Sequence, residues 1–407
     1  MRKLTVRNFS VINDAELEFG KITVLIGPQS SGKSLLCRLA YFLGREILDI
    51  AIGRTQNHFD FSMFEEDVKK KFTEWFPRGG WGNRIWTVTF LSDRYEVTAS
   101  FENTLGDGIS FSFCEEFRTA YAKSQTYTFP DNQYWPAYLL RDLAGQGVWD
   151  RSTYVPSERS YFVDTNKDYR PLVSDPEPII KAFALLYSNA RDPKIPKPRM
   201  ERNLGGRLEQ GEDEWKFVFG DGRTVSLSKL SSGSKELLPL FCVLEMYEHQ
   251  RPTTQEQINS RIVPEDTYRS DDFYIEEPEG HVFPEMQKQL VRYFAELANS
   301  DQLRPHFTIT THSPYILTAF NTLIEAWRAG NKEGKREKVA SLVPEHYWVN
   351  ENDFAAYAIH DGVLTSIFEK EKEGVAGSGL IDGDFLDSVS DQLGGEFEKL
   401  LDIEYAN

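Results

Sequence analysis

One stretch limits the possible folds more than any other: Lys21 to Leu43, KITVLIGPQSSGKSLLCRLAYFL. Ile22, Val24, Leu25 and Ile26 form a short apolar run suited to a buried strand. Gly27-Pro28-Gln29-Ser30-Ser31-Gly32-Lys33-Ser34 then matches G-x-x-x-x-G-K-[ST] in full. Leu36, Leu39, Ala40 and Leu43 recur at helical spacing, so strand, Gly-rich loop and helix stand in the order the motif requires. Gly27 and Gly32 permit the tight turn that points backbone N–H groups at phosphate oxygens. The helix N-terminus adds partial positive charge there. Lys33 is placed to reach the β and γ phosphates of ATP, and the Ser34 hydroxyl to ligate Mg²⁺. The expected nucleotide-binding set is Gly27, Gln29, Ser30, Ser31, Gly32, Lys33, Ser34 and Leu35.

At 407 residues the chain is long for one compact core, and two lobes are the natural expectation. Its apolar share of 40% and aromatic share of 13% are globular values. Cys37, Cys114 and Cys242 are scattered without metal spacing, which argues for unbridged thiols in a reducing compartment. MRKLTVRNFS starts a strand at once and lacks an apolar signal core. No run approaches the roughly 18 apolar residues of a membrane span. A cytoplasmic protein without membrane contact is therefore expected. The net charge of −17 weighs against a surface that wraps nucleic acid. Two local basic stretches stand out, Arg191 to Arg207 and Lys332 to Lys338, and both read first as solvated loops.

Residues 2 to 19 read as two strands around Asn13-Asp14. The helix after Lys33 is expected to run to about Ile52. Met63 to Phe76 reads as a helix, Arg84 to Phe101 as a hairpin, and Ile109 to Phe113 as a further strand. Glu115 to Ala122 and Trp135 to Leu143 are weaker helices, and Thr153 to Val155 is a short strand. Pro176 to Asn189 is a helix and residues 191 to 200 a Pro/Lys/Arg loop. Trp215 to Phe219 and Thr224 to Leu227 form a hairpin. No heptad seam runs through residues 54 to 229.

Three later motifs complete the chemistry. DFYIEEPEG (Asp272 to Gly280) is a short apolar strand with two carboxylates leaving its end. Glu276 is assigned to the Mg²⁺ side, Glu277 to orienting or deprotonating the attacking water. Phe307 to Thr311 is β-rich and followed by His312, which at a strand end can contact a γ-phosphate and sense its loss. Leu230-Ser231-Ser232-Gly233-Ser234-Lys235-Glu236 precedes an apolar helix, Leu237 to Met246. A Ser cap with Glu support would explain it; an exposed Ser/Gly helix start is also an anion site.

The ordered set GPQSSGKS, LSSGSKE, FYIEEPE and TTHSP resembles the ABC-type ATPase heads of the RecF, SMC and OLD group. In particular it resembles the small AAA-type heads of bacterial phage-defence systems of the OLD, Septu and PARIS kinds. LTVRNFSVINDAELEF looks like their first strands. The resemblance implies head-to-head dimers with ATP held between the phosphate loop of one copy and Ser231 and Gly233 of the other. It implies Glu277 as catalytic acid and His312 as switch histidine. Gln29 stands where the group often has Asn, and Glu276 where Asp is usual, which points to slow hydrolysis. Phe283 replaces the second His of H-x-H-P. Gln56 is a guess for the Q-loop glutamine. Glu158 and Arg159 in YVPSERS look family-like, without a role. Long coiled-coil arms are missing, and Asp382-Gly383-Asp384 reads as a turn rather than a Toprim fragment.

The expected fold is an α/β P-loop NTPase of ABC-ATPase type. It has a mixed sheet flanked by helices, an antiparallel β subdomain and a helical insertion, with no long coiled coil. The expected core is residues 1–53 with 225–407, and 54–224 forms the insertion. The leading functional expectation is an ATP-hydrolysing sensor, dimeric or of higher order, that controls a separate effector such as a nuclease or toxin in anti-phage defence. The alternative is a RecF-like ATPase of DNA repair, with DNA as partner. The C-terminal segment from Ser378, with Phe385, Leu386, Phe397, Leu400 and Leu401, is a candidate for docking a partner or for packing.

Overall fold

The computed structural model describes residues 2–55, 60–92, 95–102, 108–124, 151–164, 178–212, 214–259, 271–300, 305–368 and 379–381, with Gly395 and Lys399. Gln56, the Trp135–Leu143 helix, the Asp382–Asp384 turn and the apolar C-terminal residues lie outside this set.

Three strands open the chain: β1 (Lys3–Phe9), β2 (Ile12–Glu18) and β3 (Ile22–Ile26). β1 and β2 alternate buried and open positions, as strands with one covered face do, whereas all five residues of β3 are buried. Helix α1 (Lys33–Tyr41) follows and passes through a π turn, Phe42–Glu46, into α2 (Ile47–Thr55). The π turn has a visible cause. Gly44 lies against the Phe90 ring, and the Tyr95 hydroxyl donates to the Leu43 carbonyl at 2.9 Å.

Helix α3 (Phe61–Trp75) buries Phe64, Val68 and Phe72, one residue per turn. It covers the meander β4 (Trp86–Ser92), β5 (Tyr95–Phe101) and β6 (Ile109–Phe113), which is followed by α4 (Glu115–Ser124). Then come β7 (Arg151–Val155), the short α5 (Tyr161–Asp164), α6 (Pro178–Ala190) and α7 (Pro198–Leu204). A separate antiparallel sheet is formed by β8 (Gly206–Gln210), β9 (Trp215–Phe219) and β10 (Thr224–Ser226). The long α8 (Ser232–Asn259) leads to β11 (Asp271–Glu276), α9 (Pro284–Ala298), β12 (His306–Thr311), α10 (Pro314–Gly330) and α11 (Arg336–Leu342). The hairpin β13 (Phe354–His360) and β14 (Val363–Ser366) follows.

The main sheet has eleven strands in the order β6-β5-β4-β1-β2-β14-β13-β3-β12-β11-β7. β13, β3, β12, β11 and β7 run parallel, while β6 to β2 form an antiparallel meander. Alternate residues serve opposite faces. Ile22, Val24 and Ile26 join a core with α6, α8, α9 and α10, and Leu25 joins the core under α1 to α4. This is the expected α/β P-loop architecture, a mixed sheet with helices on both faces plus a small antiparallel sheet. Among the described residues no helix is long and apolar enough to cross a membrane.

The basic stretch from Arg191 to Arg207 is only in part the solvated loop expected: Lys194, Arg202 and Arg207 are exposed, and the other cations are not. Arg191 is buried, with its guanidinium over the rings of Tyr187 and Trp215. Lys197 is buried and donates to the Asp192 and Ile195 carbonyls. Arg199 pairs with Glu248 and Glu296, inside a short helix. Lys197 and Arg199 find acceptors within the fold, as desolvated cations must, and Arg191 is covered by two aromatic faces.

Candidate functional site

Strand register brings the motifs together. Ile26 pairs with Thr311, Thr310 with Glu276, and Ile275 with Val155. The residues that leave these strand ends are therefore neighbours: Gly27, His312, Glu277 and Pro156. Ligands of open parallel sheets bind outside this edge.

The phosphate loop is buried at Gly27 and exposed from Pro28 to Ser30. A Cβ on Gly27 would lie 2.5 Å from the Ile359 carbonyl oxygen, so close packing on β13 excludes any larger residue. Gly32 has φ 107° and starts α1 in the left-handed region, under Ile12 and Val11. The helix's first internal bond runs from Leu36 N to the Gly32 carbonyl at 3.0 Å. The N–H groups of Lys33, Ser34 and Leu35 have no acceptor within the helix, which makes this end an anion site. The Lys33 ammonium donates to the Gly27 and Pro28 carbonyls, both at 2.9 Å. Burial lowers the Lys33 pKa, and the carboxylates of Glu277 and Glu279 oppose that shift. The buried Ser31 hydroxyl has no partner among the described residues, as a group awaiting a ligand oxygen would not.

The two carboxylates at the end of β11 differ sharply. Glu276 is 1% exposed; its Oε1 accepts from the Tyr154 hydroxyl at 2.5 Å and its Oε2 from Ser157 N at 3.1 Å. The same Tyr154 hydroxyl reaches the Ser34 carbonyl at 3.5 Å, so Glu276 and Ser34 share a neighbour. Glu277 takes φ 42°, unusual for a side-chain-bearing residue, and its N–H donates to the Thr310 carbonyl at 3.0 Å. Its Oε1 lies 3.0 Å from His312 Nε2. Glu279 anchors the histidine from behind, with Oε1 accepting from His312 N and from the Thr311 hydroxyl, each at 2.7 Å.

A hydroxyl and a carboxylate suit Mg²⁺, which takes one or two protein oxygens and completes its shell with phosphates and water. Ser34 and Glu276 fit that donor set. The Glu276 oxygens, already bonded to a phenol and an N–H, retain lone pairs for a metal-bound water.

Ser231 caps α8, accepting from Ser234 N at 3.2 Å with the two hydroxyls 2.8 Å apart. Gly233 presses on the loop after the carboxylates; a Cβ there would meet the His281 carbonyl oxygen at 2.8 Å. Tyr154, Arg159, Glu236 and Glu279 carry none of the roles expected from sequence, yet they hold the site together. Their signal lay in YVPSERS, LSSGSKE and EEPE, but partners from about thirty to more than a hundred residues away leave no local pattern. Beside Ser34 and Leu35 a cavity of about 380 Å³ opens between Arg38, Trp75, Phe76 and Trp81.

A family model described as AAA ATPase domain matches residues 165–317, a span that contains Ser231, the carboxylate pair and His312. The match covers less than half of the chain. No curated protein matches. Among solved structures, the SMC head domain from Thermotoga maritima is 12% identical at TM-score 0.36, covering 90% of this chain and 97% of that one. The SMC head domain derived from Pyrococcus furiosus, solved with the C-terminal domain of ScpA, is 12% identical at TM-score 0.37, covering 90% and 96%. The recombination mediator RecF with ATP is 11% identical at TM-score 0.35, covering 89% and 98%.

Proposed function

We propose that the protein binds ATP with Mg²⁺ at Gly27 to Leu35 and hydrolyses it when two copies face each other. The observation that carries this reading is the Glu277–His312 pair, 3.0 Å apart at the strand ends flanking the phosphate loop. Gly27, Gln29, Ser30, Ser31 and Gly32 wrap the phosphates. Lys33 holds the β and γ oxygens, and the N–H groups of Ser34 and Leu35 hold the α side. Ser34, with Glu276 acting through water, would hold Mg²⁺, which neutralises charge on the phosphates. Glu277 takes the proton of the attacking water or orients it, and His312 contacts the γ-phosphate, its ring fixed by Glu277 and its backbone by Glu279. The planar base suits the aromatic cavity beside Leu35.

Ser231 and Gly233 complete the pocket of the other copy. Closure on ATP and opening after hydrolysis form the output, and a separate effector protein, a nuclease or toxin of phage defence, reads it. The residues that act on ATP lie in 1–53 and 225–407, but 54–224 is not the separate insertion expected, because β4 to β7 belong to the main sheet and Tyr154, Ser157 and Arg159 brace Glu276. The RecF-like alternative, with DNA as partner, keeps only part of its best surface, since Arg191, Lys197 and Arg199 are stacked or paired within the fold while Lys194, Arg202 and Arg207 are exposed.

The test is complementation. Lys33→Ala and Ser231→Ala should each lower turnover about a hundredfold or more alone. Mixed, they should recover about a quarter of wild-type activity, because half the dimers are mixed and each carries one intact site of two. No recovery in a mixture that demonstrably exchanges subunits would overturn the shared pocket.

A further inference from the structure

Arg159 has no part in the chemistry above, yet its side chain is 0% exposed. A guanidinium is buried at great cost unless its donors are matched. Here they are matched almost entirely by the site. Nε donates to the Glu236 carbonyl at 3.0 Å. Nη1 donates to the carbonyls of Pro156 at 3.1 Å and Glu276 at 2.7 Å. Nη2 donates to the Glu277 carbonyl at 2.9 Å and pairs with Glu236 Oε2 at 3.3 Å.

Each partner belongs to an element that carries a site residue. Glu236 lies early in α8, the helix capped by Ser231 and pressed at Gly233. Glu276 and Glu277 supply the metal-side and water-side carboxylates. Pro156 precedes Ser157, whose N–H holds Glu276 Oε2. The Glu277 peptides are gripped from both sides, by Thr310 at the N–H and Arg159 at the carbonyl, and this keeps a non-glycine residue at φ 42°. Guanidinium is planar and rigid, so displacement of α8 is passed to the strand end rather than absorbed.

We propose that Arg159 is a positioning residue that locks the Ser231–Gly233 helix start to the Glu276–Glu277 strand end, so that a nucleotide touching the first sets the geometry of the second. This rests on the ATPase reading above. Lysine keeps the charge but loses the fork. Folded Arg159→Lys is therefore expected to lower kcat about tenfold or more while KM for ATP changes less than about twofold. Introducing Arg159→Lys into the Ser231→Ala background should lower the residual turnover little further, because both act through one link. Wild-type kcat, or losses from the two substitutions that simply multiply, would overturn the proposal. A merely structural role would lower stability without that non-additivity. If Arg159→Lys does not fold, Glu236→Gln keeps the carbonyl link and removes only the ion pair. An about threefold fall in kcat at constant KM is expected there, and an unchanged kcat refutes the link. Glu277→Gln separates the two levels. Turnover that survives it refutes the catalytic assignment beneath. Turnover that it abolishes and Arg159→Lys spares refutes the link alone.

Discussion

Gly27→Ala tests whether the phosphate loop is shaped by packing rather than by a special backbone angle. The added methyl would lie 2.5 Å from the Ile359 carbonyl oxygen and 2.9 Å from Ile359 Cγ2. Ordinary contact begins at 3.4 Å, so the ends of β3 and β13 must part by about 0.9 Å. Overpacking of this kind costs about 1–3 kcal/mol. Displacing Gly27 also displaces its own carbonyl, which accepts from the Lys33 ammonium at 2.9 Å, so the strain falls on the phosphate pocket. If the full cost is felt in binding, ATP affinity falls by roughly 5- to 150-fold. Denaturant midpoints and calorimetric titration with ATP and Mg²⁺ measure the two effects. Gly79→Ala is the control, since nothing lies within 4 Å of its added carbon. Unchanged midpoint and affinity in Gly27→Ala, or an equal loss in Gly79→Ala, would refute the reasoning.

Glu279→Ala removes both the anchor of the His312 backbone and one of the charges that raise the Lys33 pKa. We expect kcat to fall about tenfold, since charge-assisted hydrogen bonds are lost, and the alkaline limb of the activity profile to move to lower pH; a profile superimposable on wild type would contradict this. Glu245 in α8 is 2% exposed, and burial raises its pKa from 4.5 to about 7, against the N–H groups of Arg199 and Met200. The folded state thus holds a proton that the unfolded chain releases. Its contribution is complete below about pH 4.5 and is lost as pH rises to about 7, by at most about 3 kcal/mol. Thermal melts at pH 5 and pH 8 should therefore differ less in Glu245→Gln than in wild type, and an equal difference would exclude Glu245 as the source.

What was legible in the chain was local. The phosphate loop, the carboxylate pair and the strand before His312 are contiguous patterns, and the period of two or 3.6 around them fixes their elements. The sheet edge that unites them follows from parallel register. The supporting residues were not legible, because an arginine reads as a solvated cation wherever it stands. Arg159 and Arg191 are both buried, one on carbonyls and the other on aromatic rings, and only their distant partners reveal it. β13, FAAYAIH, sets three alanines among Phe354, Tyr357 and Ile359, a mixed local preference, and its place between β3 and β14 decides its conformation. α7 likewise forms where a Pro/Lys/Arg segment suggested a loop, because Glu245 caps its first N–H groups.

The main sheet is joined at its middle by a narrow seam. β14 meets β2 in register only at Val363 and Asp14, helped by the Gly362 carbonyl, which receives the N–H groups of Asn13 at 2.7 Å and Asp14 at 3.1 Å. The phosphate loop straddles that seam like a rivet, with Gly27 seated on Ile359 to one side and Gly32 under Ile12 on the other. A ligand that stiffens the loop would therefore also brace the meander against the parallel strands, adding to the shared core that runs from Leu4 and Leu17 to Leu25, Tyr274 and Ile359 and to the Arg2–Asp272 pair.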